Sequence, residues 1–149
     1  MSYIQSLYPP EHSQCFGCGP ANPTGLHVQT YWDGEVGTCR FTPGPEHMAY
    51  PGVVYDGLIA CLMDCHGIGT AIAAAYQEEG RPMDSEPRIN MVTGNLNVSY
   101  LAPTPLGGEL VLRARIKEMG PKKVLVSCEL SAGGKVTAVG QVLGVRLQL

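Results

Sequence analysis

Residues 50–76, YPGVVYDGLIACLMDCHGIGTAIAAAY, constrain the fold of this 149-residue chain more than any other stretch. Pro51-Gly52 make a turn that leads through Val53 and Val54 into a run without proline and with almost no charge. An apolar run of that length reads as a helix covered on nearly every side. Asp64 and His66 are an ionisable pair within it. A carboxylate is seldom taken out of water without a partner or a task, so Asp64 is the first candidate functional residue. The same run carries both ionisable groups and is interrupted by Gly67 and Gly69, and it is therefore not expected to span a membrane.

The rest of the chain is short of charge, 15% against 44% apolar residues. That balance suits one soluble domain over 1–149 and leaves surface for a subunit interface. With a net charge of −3 and no basic run longer than Lys122-Lys123, nucleic acid is not an expected partner. The opening residues, MSYIQSLYPPEHSQCFGCG, lack a basic segment followed by an apolar one. No secretory signal is expected, and hence a cytoplasmic location with six reduced cysteines.

Residues 1–25 hold turn signals in close succession, including Pro9-Pro10, Gly19-Pro20 and Asn22-Pro23. Residues 26–32 alternate as a strand, Asp33-Gly34 is a hairpin turn, and 36–41 return. A loop over 42–51 precedes the helix, which Glu78-Glu79-Gly80-Arg81-Pro82 ends. Strands are expected over 88–101, 109–118, 122–131 and 135–149, separated by Pro/Gly turns. Helix and strands segregate, which predicts an α+β fold: a mostly antiparallel sheet of five to six strands wrapped around the long helix.

This order, from Cys15 onward, resembles the hotdog-fold thioesterases, in particular the phenylacetyl-CoA thioesterase-like (PaaI-like) branch. The resemblance is carried by Glu46-His47-x-x-Tyr50-Pro51-Gly52-Val53-Val54, then Gly57 and Asp64, and later by Asn97-x-x-Tyr100-Leu101-x-Pro103-Thr104-Pro105-x-Gly107. It implies hydrolysis of an acyl-CoA thioester, with the helical carboxylate, Asp64, as nucleophile or general base and the Gly57 backbone N–H polarising the carbonyl. It also implies sites shared across a homodimer or a dimer of dimers, and no cofactor beyond the CoA of the substrate. Where the family has His-Gly-Gly at the helix entry, this chain has Tyr55-Asp56-Gly57.

The residues can be read physically beside that resemblance. Gly57, at a helix N-terminus, has an N–H with no intrahelical acceptor and no side chain to obstruct a carbonyl. Asp56 falls at or next to the N-cap and is expected to point away from the site. Asp64, seven positions on, shares a face with Gly57 and the small residues Ala60, Gly67 and Ala71, which leave room for a ligand or another helix. The two functional groups are separated by roughly 10 Å of helix axis, so Gly57 of one subunit is expected to face Asp64 of another. Candidates for substrate contact are His47 and Tyr50 ahead of the helix, Tyr55 and Asp56 at the altered motif, His66, and Asn97 with Tyr100 from the sheet. His66 lies about 200° round the helix from Asp64 and is not its partner within one chain.

Two rival functions stay open at this point. One is a hotdog protein that holds an acyl-CoA or aromatic ligand without cleaving it. The other is a hydratase or dehydratase on the same fold. Cys15-x-x-Cys18 invites a zinc reading, but a structural site needs four ligands and no second CxxC exists. No metal is expected on that ground, and the pair is assigned to the turns of the N-terminal segment.

Overall fold

The computed structural model of the chain describes residues 2–148. The expected helix is α1, Asp56–Glu78. Tyr55 is its N-cap and gives no side-chain cap bond, so Asp56 sits one position inside the helix and does not cap it. At the other end Gly80, at φ +65, sends its N–H to Gln77 O, and Arg81 N–H reaches Tyr76 O. These two bonds are a Schellman stop, which needs the left-handed conformation glycine adopts freely.

Six strands form one antiparallel sheet in the order β1-β2-β4-β5-β6-β3. They are β1 (Tyr31–Trp32), β2 (Gly37–Phe41), β3 (Asn90–Tyr100), β4 (Leu110–Met119), β5 (Lys123–Ala132) and β6 (Lys135–Leu147). Leu149, the last residue of the strand expected over 135–149, lies outside the described residues. β4, β5 and β6 make a meander, whereas β3 crosses to the far edge and pairs with β6.

The strand expected over 26–32 is laddered at Tyr31–Trp32 alone. Its alternation is real, with Val28, Thr30 and Trp32 buried. Its backbone, however, bonds to the N-terminal segment: Leu26 N–H to Phe16 O at 2.8 Å and Val28 N–H to Gly17 O at 3.0 Å. Residues 2–30 are thus a coil with two short 3-10 turns, Ile4–Leu7 and Pro10–His12, laid over one end of the helix–sheet sandwich.

The core lies between α1 and the concave face of the sheet. Leu58, Ile59, Leu62 and Met63 meet Cys39, Leu112, Val126, Cys128 and Leu130 there. At Gly67 and Ala71 the face of small residues on α1 packs on the sheet. A Cβ on Gly67 would stand 2.6 Å from Val142, and Ala71 lies against Gly144. Glycine at 67 lets the helix axis settle closer to β6 than any side chain would allow.

Candidate functional site

A cavity of about 350 Å³ opens beside α1 at the level of Asp64. Its apolar lining comes from the helix (Ile68, Ile72), the N-terminal coil (Ile4, Leu7) and the approach to β3 (Met83, Met91). Asp64 is on its wall and is half-exposed, not buried as its apolar sequence context suggests. Asp64 falls at the rim of the helix face that packs on β3, beside the exposed Thr93.

Thr93 of β3 holds the carboxylate, its hydroxyl donating to Asp64 Oδ1 at 2.5 Å. A β-bulge puts Thr93 there. Thr93 pairs with Gly144 and Asn95 with Leu143, leaving Gly94 as the extra residue. Side chains alternate faces along a strand, and one inserted residue reverses the alternation. Met91 and Thr93 before the bulge, and Leu96 and Val98 after it, consequently all face the helix. Sequence reasoning missed Thr93, since a strand read without its bulge assigns Thr93 and Leu96 to opposite faces.

Gly57 is exposed at the first turn of α1 and outside the cavity. In that turn Leu58 and Ile59 donate to Tyr55 O, and among the described residues the Gly57 N–H has no acceptor. The Tyr55 ring, itself 57% exposed, folds against it: a Cβ on Gly57 would stand 2.5 Å from the ring. Within one chain, therefore, Gly57 and Asp64 are not brought to the same place. Asp56 is exposed, and its carbonyl accepts the Tyr100 hydroxyl at 2.7 Å.

The expectation that His66 contacts substrate is corrected. Its ring is fully buried, with Nε2 2.9 Å from Gly37 O and Nδ1 2.8 Å from the Thr30 hydroxyl. A carbonyl only accepts, so Nε2 carries the proton and Nδ1 accepts from Thr30. Thr30 Oγ1 in turn accepts from Gln5 Nε2 at 2.9 Å, and Gln5 Oε1 accepts the Thr30 N–H. This chain of bonds ties the N-terminal coil, α1 and β2 together. Burial pushes the imidazole down to about 4, against the pull of the Gly37 carbonyl, and the ring is neutral at pH 7.

The remaining expected contacts are also separate from the cavity. His47 ends a 3-10 turn, Pro45–His47, and its Nδ1 accepts the Gly44 N–H at 2.9 Å, a local structural role. Tyr50 is 79% exposed. Asn97 lies on the face of the sheet opposite the helix, between the inward Leu96 and Val98. None of His47, Tyr50, Tyr55, Asp56, His66 or Asn97 lines the cavity within the chain. Arg88, which does, donates to Leu7 O at 2.6 Å and pairs with Glu86.

Comparison with known proteins gives a consistent picture. The family described as Thioesterase superfamily matches residues 51–139. Human acyl-coenzyme A thioesterase 13 is 30% identical over 105 residues, 69% of this chain and 67% of that protein. Acyl-coenzyme A thioesterase THEM4 of Xenopus laevis is 30% identical over 92 residues, 62% of this chain. The chain spans only 36% of that protein's length, and 40% and 42% of the bovine and rat THEM4 proteins. Among solved structures, a thioesterase superfamily protein from Shewanella loihica is 45% identical, with a TM-score of 0.67 over 81% of this chain and 91% of that one.

Proposed function

This chain belongs to the thioesterase superfamily, and from that membership we propose that it hydrolyses an acyl-CoA thioester to a carboxylic acid and free CoA. The observation that carries the reading is Asp64, a carboxylate fixed by Thr93 on the wall of an otherwise largely apolar cavity. The cavity suits an acyl group. Only one oxygen of Asp64 has a partner among the described residues, which leaves the other to attack the thioester carbon or to take a proton from an attacking water. In either course the C–S bond breaks and the CoA sulfur leaves as thiolate, to be protonated from solvent; on the covalent course water then hydrolyses the acyl–Asp64 anhydride, releasing the acid and restoring the carboxylate. The developing oxyanion needs a donor, and the unpaired Gly57 N–H at the positive end of α1 is the proposed one.

Since Gly57 and Asp64 are roughly 10 Å apart along one helix, the site we propose is completed by a second copy. β3 is a long edge strand, eleven residues, paired on one side only. Such an edge is a template for another strand. Antiparallel pairing of two β3 edges across a two-fold would lay the two α1 helices side by side, Gly57 of each toward Asp64 of the other. The proposed species is accordingly a cytoplasmic homodimer or dimer of dimers that needs no cofactor for the hydrolysis.

A binding-only reading draws on one observation, the Tyr55 ring folded over Gly57. Free-thiol release from short, medium and aryl acyl-CoAs separates the two. Wild type should cleave at least one class, and Asp64→Asn and Asp64→Ala should lose cleavage while still binding. Binding of acyl-CoA without cleavage by wild type would establish the rival, and unchanged cleavage in Asp64→Ala would end the mechanism. A mixed dimer of Gly57→Pro and Asp64→Ala subunits should recover about half its sites, because proline is tolerated in the first helical turn yet removes the N–H. No recovery from stably folded subunits would refute the shared site.

A further inference from the structure

Three thiols that are scattered in sequence meet beside α1, and a fourth stands next to them. The sulfur atoms of Cys15, Cys18 and Cys65 lie within 4.8 Å of one another, with Cys15 and Cys65 3.9 Å apart. Cys61, one turn earlier on the same helix face, adjoins the Cys65 thiol. The loop carrying the first pair is pressed so closely on the helix that a Cβ on Gly17 would meet Cys65 Sγ at 2.3 Å and Cys61 Sγ at 3.4 Å. It is also held from behind, by Gly19 N–H to Cys15 O at 2.7 Å and by the N–H groups of Leu26 and Val28.

Hydrophobic packing accounts for part of this convergence, since Cys18 is buried in the core and Cys65 packs against it, but not for the rest. Cys15 is exposed, and Cys61 and Cys65 are only partly buried. A disulfide does not account for it either, since 3.9 Å is far beyond the ~2.05 Å of an S–S bond and more than two sulfurs are mutually adjacent. The spacing of Cys15, Cys18 and Cys65 matches three corners of a coordination shell, and Cys61, beside Cys65, is the thiol at hand for the fourth. Metal–sulfur bonds of ~2.3 Å in a tetrahedron set the sulfurs ~3.8 Å apart. A CxxC loop and an i, i+4 pair on one helix face are two ready bidentate units.

We propose that Cys15, Cys18, Cys61 and Cys65 form a tetrathiolate site for a divalent, thiophilic metal ion of the zinc class, clasping the N-terminal loop onto α1. Binding turns four thiols into thiolates, forms four metal–sulfur bonds and releases four protons to solvent, with no change of oxidation state. A shell closed by four protein ligands marks a structural ion. Its place is nonetheless consequential, because Cys15, Cys18 and Cys65 line the cavity that holds Asp64.

The test uses the full chain, purified with reductant and without chelator. Elemental analysis should find one zinc per chain, and Co²⁺ added to chelator-stripped protein should give thiolate-to-cobalt charge transfer and tetrahedral d–d bands saturating at one equivalent. Cys18→Ser and Cys65→Ser should abolish both signals, Cys128→Ala should keep them, and chelation should expose the four thiols to a chromogenic thiol reagent. A reduced wild-type protein without the Co²⁺ bands would overturn the proposal whatever the folding of the variants. So would a Cys15–Cys65 disulfide in metal-free protein isolated without reductant. An unchanged cobalt spectrum in Cys61→Ser would overturn the four-thiolate shell.

Discussion

His66→Leu should destabilise the protein and leave the chemistry of its folded fraction intact. The ring is fully buried and both nitrogens are bonded, to Gly37 O and to the Thr30 hydroxyl. Leucine is close to histidine in volume, so the cavity contribution is minor. What remains is a carbonyl and a hydroxyl proton, both enclosed and without partners. Each costs about 1–3 kcal/mol, for a total of about 2–6 kcal/mol, or roughly 5–20 °C in melting temperature for a domain of this size. His66→Gln, which can keep one of the two bonds, should lose about half as much. Thermal or urea unfolding followed by the fluorescence of Trp32, buried at 9% exposure, reads the effect directly. Steady-state rates per folded molecule should stay within about twofold of wild type, a free-energy change below ~0.5 kcal/mol. The reasoning fails if His66→Leu melts within about 1 °C of wild type while kcat/KM falls tenfold or more, since that pattern belongs to a residue that touches substrate.

Two further outcomes are expected. Thr93→Val removes the donor that fixes Asp64 and, because Thr93 is exposed, should barely move the melting temperature. It should lower kcat about tenfold with little change in KM, toward the low end of the ~1.5–3 kcal/mol typical of hydrogen bonds to charged groups; an unchanged kcat would remove Thr93 from the site. Cys39 and Cys128 are desolvated in the core and pushed up to about 11 and about 12 from an ordinary value of 9.0. The folded state keeps both protons while the unfolded chain releases them above pH 9, so their contribution is intact below that pH and is lost as pH rises toward 11–12. Urea unfolding should show a loss of about 3 kcal/mol from this pair by pH 10, absent in Cys39→Ala/Cys128→Ala, and an equal alkaline slope in the two proteins would contradict it.

Much of the architecture was legible in periodicity and punctuation. The apolar run ending at Glu78-Glu79-Gly80 is α1, and the alternation of residues 90–147 with its Pro/Gly breaks is the sheet. The order of the strands was not legible: nothing local tells β3 to cross past β4 and β5 and join β6. The site divided in the same way. Asp64 stood out as a charge in an apolar segment, a chemical contrast visible in one dimension. His66 stood out by the same contrast and turned out to be structural, because contrast alone does not distinguish a buried, satisfied ring from a working one. Thr93 gave no signal, since its orientation depends on a bulge set by pairing with a distant strand. The approach of Cys15 and Cys18 to Cys65 gave no signal either, because the loop and the helix are some fifty residues apart and meet only in the fold.

The cavity is assembled from two sources, and the difference bears on how such a site changes over evolutionary time. Asp64, Thr93, Ile68 and Ile72 fall within residues 51–139, the part shared with the superfamily. Ile4, Leu7, Tyr8, Pro9 and His12 come from the coil ahead of it. Part of the cavity surface is therefore carried by a stretch of polypeptide separate from Asp64 and Thr93. Residues 7–12 of that coil can change without touching the Gln5–Thr30–His66 bonds that tie the coil to α1. Under the proposed function, selectivity would be modular at the level of the gene: an exchange of the codons for residues 7–12 would be an exchange of part of the mould, with Asp64 and Thr93 left in place.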